Sequence, residues 1–252
     1  MASHSRKEKP DNDDAEVITF INQKGGVGKS TKTVNTAATT AAVLRTRGAG
    51  QTKSPVAAVS IDPQGSAVWW SERVADRDFH IVQAHDDIEG LRRLRQLPGI
   101  KRVFVDTPGW IELDESSTAD AVGDGRASEA LKAVLSSTDL AIVPMTPEPL
   151  SYPPTTHTIE KVLKPRGIRF MVVINNWDPR DGRADLDETI EFVQRKGWPL
   201  ANTVIRRYKL HTRASADGQV VTEYPRNRVG MEARADFSAL SHEIELQLAE
   251  GR

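Results

Sequence analysis

The sequence contains no cysteine in 252 residues, which excludes a disulfide framework, thiolate zinc sites, iron–sulfur clusters and a cysteine nucleophile at once. Aromatic residues are sparse at 6%, and the 38% of hydrophobic residues never gather into the ~18–20-residue run that a membrane span needs. A soluble chain is expected. Excess charge of one sign is also missing: 34 Lys and Arg stand against 35 Asp and Glu, for a net charge of −1. No global field therefore draws the chain to nucleic acid, and any such binding must come from a local patch. The length suffices for one large or two small domains with an ample core.

Residues 1–15 read as a disordered tail, because Arg6, Lys7 and Lys9 alternate with Glu8, Asp11, Asp13 and Asp14 and no apolar signal stretch is present. The remainder, 16–252, reads as one domain. Short, mostly β-branched runs predict strands at Val17 to Ile21, Val56 to Ile61, Val103 to Val105, Leu140 to Val143, Phe170 to Ile174 and Thr203 to Ile205, with a weaker one at Phe79 to Val82. These runs rarely alternate in polarity, as expected of strands covered on both faces. Helical patterns lie between them. Thr31 to Arg45 suits a helix, Ile88, Leu91, Leu94 and Leu97 share one face before Pro98, and Phe237, Leu240, Ile244 and Leu248 recur similarly. The fold class is α/β, a single doubly wound, mostly parallel sheet flanked by helices. Ile111 to Asp124, with five acids and no Lys or Arg, reads as a long surface loop. Asn202 to Arg228 is the one locally basic segment.

The stretch Lys24-Gly25-Gly26-Val27-Gly28-Lys29-Ser30-Thr31 follows the first strand and opens a helix, the context that a phosphate-binding loop requires. Glycines let backbone N–H groups converge on phosphate oxygens, the helix N-terminus adds a favourable dipole, Lys29 neutralises the β/γ charge, and the Ser30 hydroxyl suits Mg²⁺. The usual G-x-x-x-x-G-K-[ST] pattern demands glycine at position 23, where Gln23 stands. Lys24 is the added feature. A solvated lysine beside a glycine turn is the plain alternative for it.

With Lys24 and Lys29 bracketing the glycines, the loop resembles the deviant Walker A loop of the ParA/MinD family of ATPases. The resemblance implies ATP and Mg²⁺ as cofactors, a P-loop NTPase fold, and Lys24 as the signature lysine reaching the partner subunit's phosphates in an ATP-bound homodimer. Such a cation acts as an arginine finger does. Ser60-Ile61-Asp62-Pro63-Gln64-Gly65-Ser66 resembles the family's D-x-D-P-Q-G-N segment, with Ser60 in place of the first aspartate. The resemblance assigns to Asp62 the attacking water and a share in the Mg²⁺ shell; a helix-capping aspartate is the alternative. Asp106-Thr107-Pro108-Gly109 resembles the Walker B and switch segment, which implies Asp106 as a metal ligand beside Ser30 and Gly109 as a γ-phosphate donor. Asn175, with Asn176 beside it, lies where family members place an adenine contact.

Ile205 to Leu210 and Glu223 to Arg228 resemble stretches of ParA-type partition ATPases that touch DNA without reading its sequence. This implies Arg206, Arg207, Lys209, Arg226 and Arg228 as phosphate contacts, against the alternative of a solvated basic face. The cysteine-dependent branches of the family are excluded, and the acidic stretch Gly230 to Arg252 argues against the basic amphipathic membrane helix of MinD-type relatives. The first strand starts near residue 17, so no N-terminal helix-turn-helix domain is expected. The expected protein is a small ParA-type ATPase, cytoplasmic and nucleoid-associated, slow until stimulated. It would bind nonspecific DNA and drive plasmid or chromosome partition with a ParB-like adaptor. A positioning ATPase for a protein cargo and a small-molecule ligase of the same fold are the alternatives.

Overall fold

The computed structural model describes residues 14–47, 54–75, 77–110 and 121–251. All but the last two positions of the predicted tail, and Ile111 to Asp120 of the acidic stretch, lie outside these residues. Seven strands, β1 (Glu16–Phe20), β2 (Val56–Ser60), β3 (His80–Gln83), β4 (Arg102–Asp106), β5 (Leu140–Met145), β6 (Phe170–Trp177) and β7 (Leu200–Arg206), form one sheet in the order β3-β2-β4-β1-β5-β6-β7. Every pairing is parallel. Each run expected from sequence is present, the weak Phe79 to Val82 included.

The helices are α1 (Lys29–Arg47), α2 (Ser66–Ser71), α3 (Ile88–Arg92), α4 (Arg126–Ser137), α5 (Tyr152–His157), α6 (Ala184–Arg195), α7 (Lys209–Asp217) and α8 (Arg228–Glu250), with a π-helical turn, Thr158–Leu163, prolonging α5. Alternate strand residues feed two cores, which explains why the strands read as continuous apolar runs. Ile18, Phe20, Ala58, Phe104 and Ile142 pack beneath α1 and α8, whereas Val17, Val59, Val105, Ala141 and Val172 pack against α3, α4 and α6. Among the described residues no helix is long and apolar enough to cross a membrane.

Helix α1 is Thr- and Ala-rich because it is buried along most of its length. Ala37, Ala38 and Ala41 let its backbone approach the sheet. The buried hydroxyls of Thr33 and Thr39 bond back to the Lys29 and Asn35 carbonyls at 3.1 and 2.8 Å, whereas the equally buried Thr36 hydroxyl has no partner among the described residues. The face shared by Ile88, Leu91, Leu94 and Leu97 is not one helix. α3 ends at Arg92 and a 3₁₀ turn, Leu94–Gln96, carries on. The cause is Ser137 of α4, whose Oγ donates to the Leu91 and Arg92 carbonyls at 3.2 and 3.1 Å, engaging acceptors that a continuing helix would use. The C-terminal pattern holds throughout: Phe237, Leu240, Ile244 and Leu248 of α8 are all buried.

The connection leaving β1 runs toward β2, and the one leaving its neighbour β5 runs the other way, toward β6. At such a reversal a crevice opens outside the carboxyl ends of the strands, the usual ligand position in this fold class. The expected nucleotide-site residues lie at that edge.

Candidate functional site

The loop between β1 and α1 is clamped at its root. The Asn22 side chain, fully buried, donates to the Pro144 carbonyl and to Thr155 Oγ1, both at 2.9 Å, and accepts from the Lys24 N–H. Gly26 and Gly28 sit at φ of +75° and +79°, where a side chain is strained. A methyl group on Gly28 would also stand 2.9 Å from Asn175 Nδ2 and 2.9 Å from Lys32 Nζ. Only glycine keeps this cradle open.

Lys29 folds back over the loop, its Nζ donating to the Asn22 and Lys24 carbonyls at 2.9 and 3.0 Å. Burial lowers its pKa to about 8, against the opposing pull of the Asp106 and Asp62 charges. The Lys24 side chain leaves its own loop. Its Nζ reaches Ser151 Oγ at 3.1 Å and Glu148 Oε2 at 3.4 Å, across the β5–α5 connection.

Asp106 ends β4, level with Phe20 of β1 and Ser60 of β2. It is wholly buried, and neither carboxylate oxygen has a hydrogen-bond partner among the described residues. Burial, reinforced by the Asp62 charge, raises its pKa to about 7; the facing Ser30 and Ser60 hydroxyls and Lys29 oppose the shift. An orphaned carboxylate beside the first turn of α1 is an arrangement that a hard divalent cation completes, and Mg²⁺ needs few protein ligands because it keeps its waters. The residues present therefore fit Mg²⁺ held by Ser30 and Asp106 with phosphate oxygens. Among the described residues no group of three or more His, Asp or Glu forms an all-protein cage.

Asp62 follows β2 as a turn residue, its Oδ1 accepting the Gln64 N–H at 2.9 Å while its carbonyl accepts from Gly65 N–H. It is half-buried and opens onto a cleft that also holds Gln23, Gly25 and Gly109. The capping alternative is thus partly realised, for Asp62 does cap the turn before α2, whose own N-cap is Gly65. Gly109 lies against the phosphate loop: a methyl group there would meet the Gln23 carbonyl at 3.0 Å and Gly25 N at 3.1 Å. The following Trp110 N–H donates to that same carbonyl.

Behind the loop, on the β6–β7 side, lies a second cleft of about 620 Å³ lined by Gly28, Ser30, Thr31, Lys32, Asn175, Asn176, Arg207 and Lys209 among others. Asn175 donates to the Val27 carbonyl at 2.7 Å and so braces the loop. Asn176, at φ +65° the only left-handed non-glycine residue among those described, shares the cleft wall. The basic segment divides. Arg207 and Lys209 are exposed on this wall. Arg226 and Arg228 are exposed where α8 begins, outside the cleft, and Arg228 pairs with Glu232 at 2.9 Å.

Arg206 corrects the sequence expectation of a free phosphate contact. Its guanidinium makes a two-pronged pair with Asp236 at 2.6 and 3.0 Å and donates to the Glu232 carbonyl, fastening β7 to α8. Its charge is paired across β7 and α8, while its side chain, 24% exposed, still lines the cleft beside Arg207. Sequence reasoning also passed over Lys32 and His211 of the cleft floor. The available signal for Lys32 was a lone charged residue inside a run of Thr, Ala, Val and Asn.

Comparison with known proteins supports the fold and places the chain in a family. The family model described as the CobQ/CobB/MinD/ParA nucleotide binding domain matches residues 18–221. The "Maintenance of carboxysome distribution protein A" of Gloeobacter kilaueensis is 33% identical over 233 residues, covering 91% of this chain and 94% of that protein. Among solved structures, MinD of Pyrococcus horikoshii complexed with Mg-ADP superposes with a TM-score of 0.67 at 20% identity, covering 94% of this chain and 99% of that one. An ATP complex of a Cyanothece McdA variant superposes at 0.63 and 12% identity, over 93% and 96% of the two chains.

Proposed function

Because the chain belongs to the CobQ/CobB/MinD/ParA nucleotide-binding family, we propose that it is an Mg²⁺-dependent ATPase that dimerises on ATP and positions a cargo. The single observation that carries this reading is the division of labour between two lysines flanking one loop. Lys29 lies over its own phosphate loop, whereas Lys24 points away from it toward Glu148 and Ser151. A cation that does not serve its own site, and is held only by a long 3.4 Å pair with the exposed Glu148 and by the Ser151 hydroxyl, can be released to a second subunit.

In the resulting mechanism the loop N–H groups and Lys29 hold the phosphate chain in place. Asp106 and Ser30 would hold Mg²⁺, which when bound would neutralise charge on the phosphate chain. Asp62, at the open cleft beside Gly109, accepts a hydrogen bond from water and orients it. Lys24 of each protomer adds positive charge in the partner's site, so that hydrolysis awaits closure of the pair. Gly109, seated on the Gln23 carbonyl, moves with the loop and carries the nucleotide state to the switch segment.

The dimer, in this reading, coats nonspecific DNA through Arg207, Lys209, Arg226 and Arg228 until a ParB-like or other adaptor stimulates hydrolysis, which makes the protein cytoplasmic and nucleoid-associated. Resemblance to a carboxysome distribution protein favours a protein body as the cargo over a plasmid or chromosome. Purified protein mixed with random-sequence duplex at two salt concentrations tests the DNA step. Retention that requires ATP and falls steeply with salt supports it; equal behaviour with ATP, ADP and no nucleotide contradicts it. ATP turnover that answers to a metabolite and not to DNA points instead to a small-molecule ligase.

A further inference from the structure

Only two lysines are buried among the described residues, Lys29 and Lys32. The Lys29 ammonium is held by two carbonyls. Lys32, 2% exposed in the first turn of α1, has no hydrogen bond or ion pair through its ammonium to any described residue. Its Nζ lies directly against the last glycine of the phosphate loop, since a methyl group on Gly28 would stand 2.9 Å from it. No Asp or Glu lines the cleft that Lys32 faces. Across the floor, His211 Nε2 is buried without a partner, while its Nδ1 lies 3.1 Å from the Tyr224 hydroxyl.

An unpaired ammonium at the end of a buried stem, reaching only a cleft, destabilises a fold, and a structural role for a lysine normally supplies a counter-ion or a carbonyl. Here neither is present, and the neighbouring groups are the N–H donors and cations of a phosphate loop. We propose that Lys32 is a second in-cis cation for the phosphate chain of the bound nucleotide, left uncompensated in the free protein so that a phosphate oxygen completes it. The proposal rests on the nucleotide-binding reading above. Lysine suits the role as a compact point charge on a stem that the helix and sheet bury. The contact is with phosphate, so it is indifferent to the base.

The experiment compares native protein with Lys32→Met and Lys32→Arg, measuring nucleotide-free thermal midpoints and affinities for ATP and GTP. Lys32→Met retains the apolar stem and removes the charge. Its affinity is expected to fall roughly 10- to 100-fold, by a similar factor for both nucleotides, while its nucleotide-free midpoint rises by about 2–4 °C. Lys32→Arg, which keeps the charge, is expected to recover part of the affinity. A purely structural lysine gives the opposite sign, with the midpoint and the affinity falling together. Native binding with an unaltered Lys32→Met variant, or a loss confined to one base, overturns the proposal. Native protein that binds no nucleotide at all overturns the reading beneath it, and that outcome is visible before any variant is compared.

Discussion

Replacing Asp106 with asparagine is expected to stabilise the nucleotide-free, metal-free protein as pH rises, although it removes a metal ligand. Asp106 is fully buried with both oxygens unpartnered, and its pKa is raised from the ordinary 3.8 to about 7, chiefly by burial. With the folded-state value above the unfolded one, the unfolded chain gives up its proton first. Native stability therefore falls as pH climbs from the usual carboxylate range toward 7, and the loss levels off above that. The slope in that window is about 1.4 kcal/mol per pH unit, or about 2–3 kcal/mol between pH 5 and pH 7. Asparagine cannot ionise and escapes this loss, although its buried amide carries a pH-independent cost of about 1–3 kcal/mol. Urea denaturation in EDTA at pH 5, 6, 7 and 8 reads the effect. The variant gains on the native protein steadily from pH 5 to 7 and then runs parallel with it. A stability difference independent of pH, or one that turns against asparagine as pH rises, refutes the reasoning.

Arg206→Ala leaves Asp236, itself nearly buried, with only the residue 206 N–H as partner and no counter-charge in its place, so a loss of about 2–4 kcal/mol in stability is expected by chemical denaturation. Arg207→Ala with Lys209→Ala removes no described side-chain bond, and is expected to leave the thermal midpoint within a degree or so of native while weakening ATP-dependent DNA retention. Gly28→Ala places a methyl group at a left-handed position against Asn175 and Lys32; a folded protein with nucleotide binding reduced by at least about tenfold is expected by fluorescence titration. Asp62→Ala is expected to bind ATP and dimerise while hydrolysing at a small fraction of the native rate in a phosphate-release assay.

The strands were legible because a parallel sheet covered on both faces needs apolar residues at every position, and their run lengths stand out between polar turns. The phosphate loop was legible because its working parts are contiguous. Features that depend on distant partners were not. The fate of Arg206 is set by Asp236, 30 residues on, so one member of a basic run that looked free was internally paired. The break after α3 comes from Ser137, 45 or more residues away, and no local pattern announces it. Lys32 needed the depth of α1 to be known, since a charged residue in a helix otherwise reads as solvated. Asp62 was legible as a turn residue at a strand end, and its placement beside Gly109 came only from the packing of β2 against β4.

Light scattering of native protein and Lys24→Ala, each with ATP and Mg²⁺, with ADP and Mg²⁺, and without nucleotide, addresses the two-lysine switch most directly. Native protein is expected to double its mass only with ATP, while Lys24→Ala binds ATP yet stays at 27.8 kDa. A native mass unchanged by ATP, or a Lys24→Ala variant that dimerises as well as native, contradicts the switch.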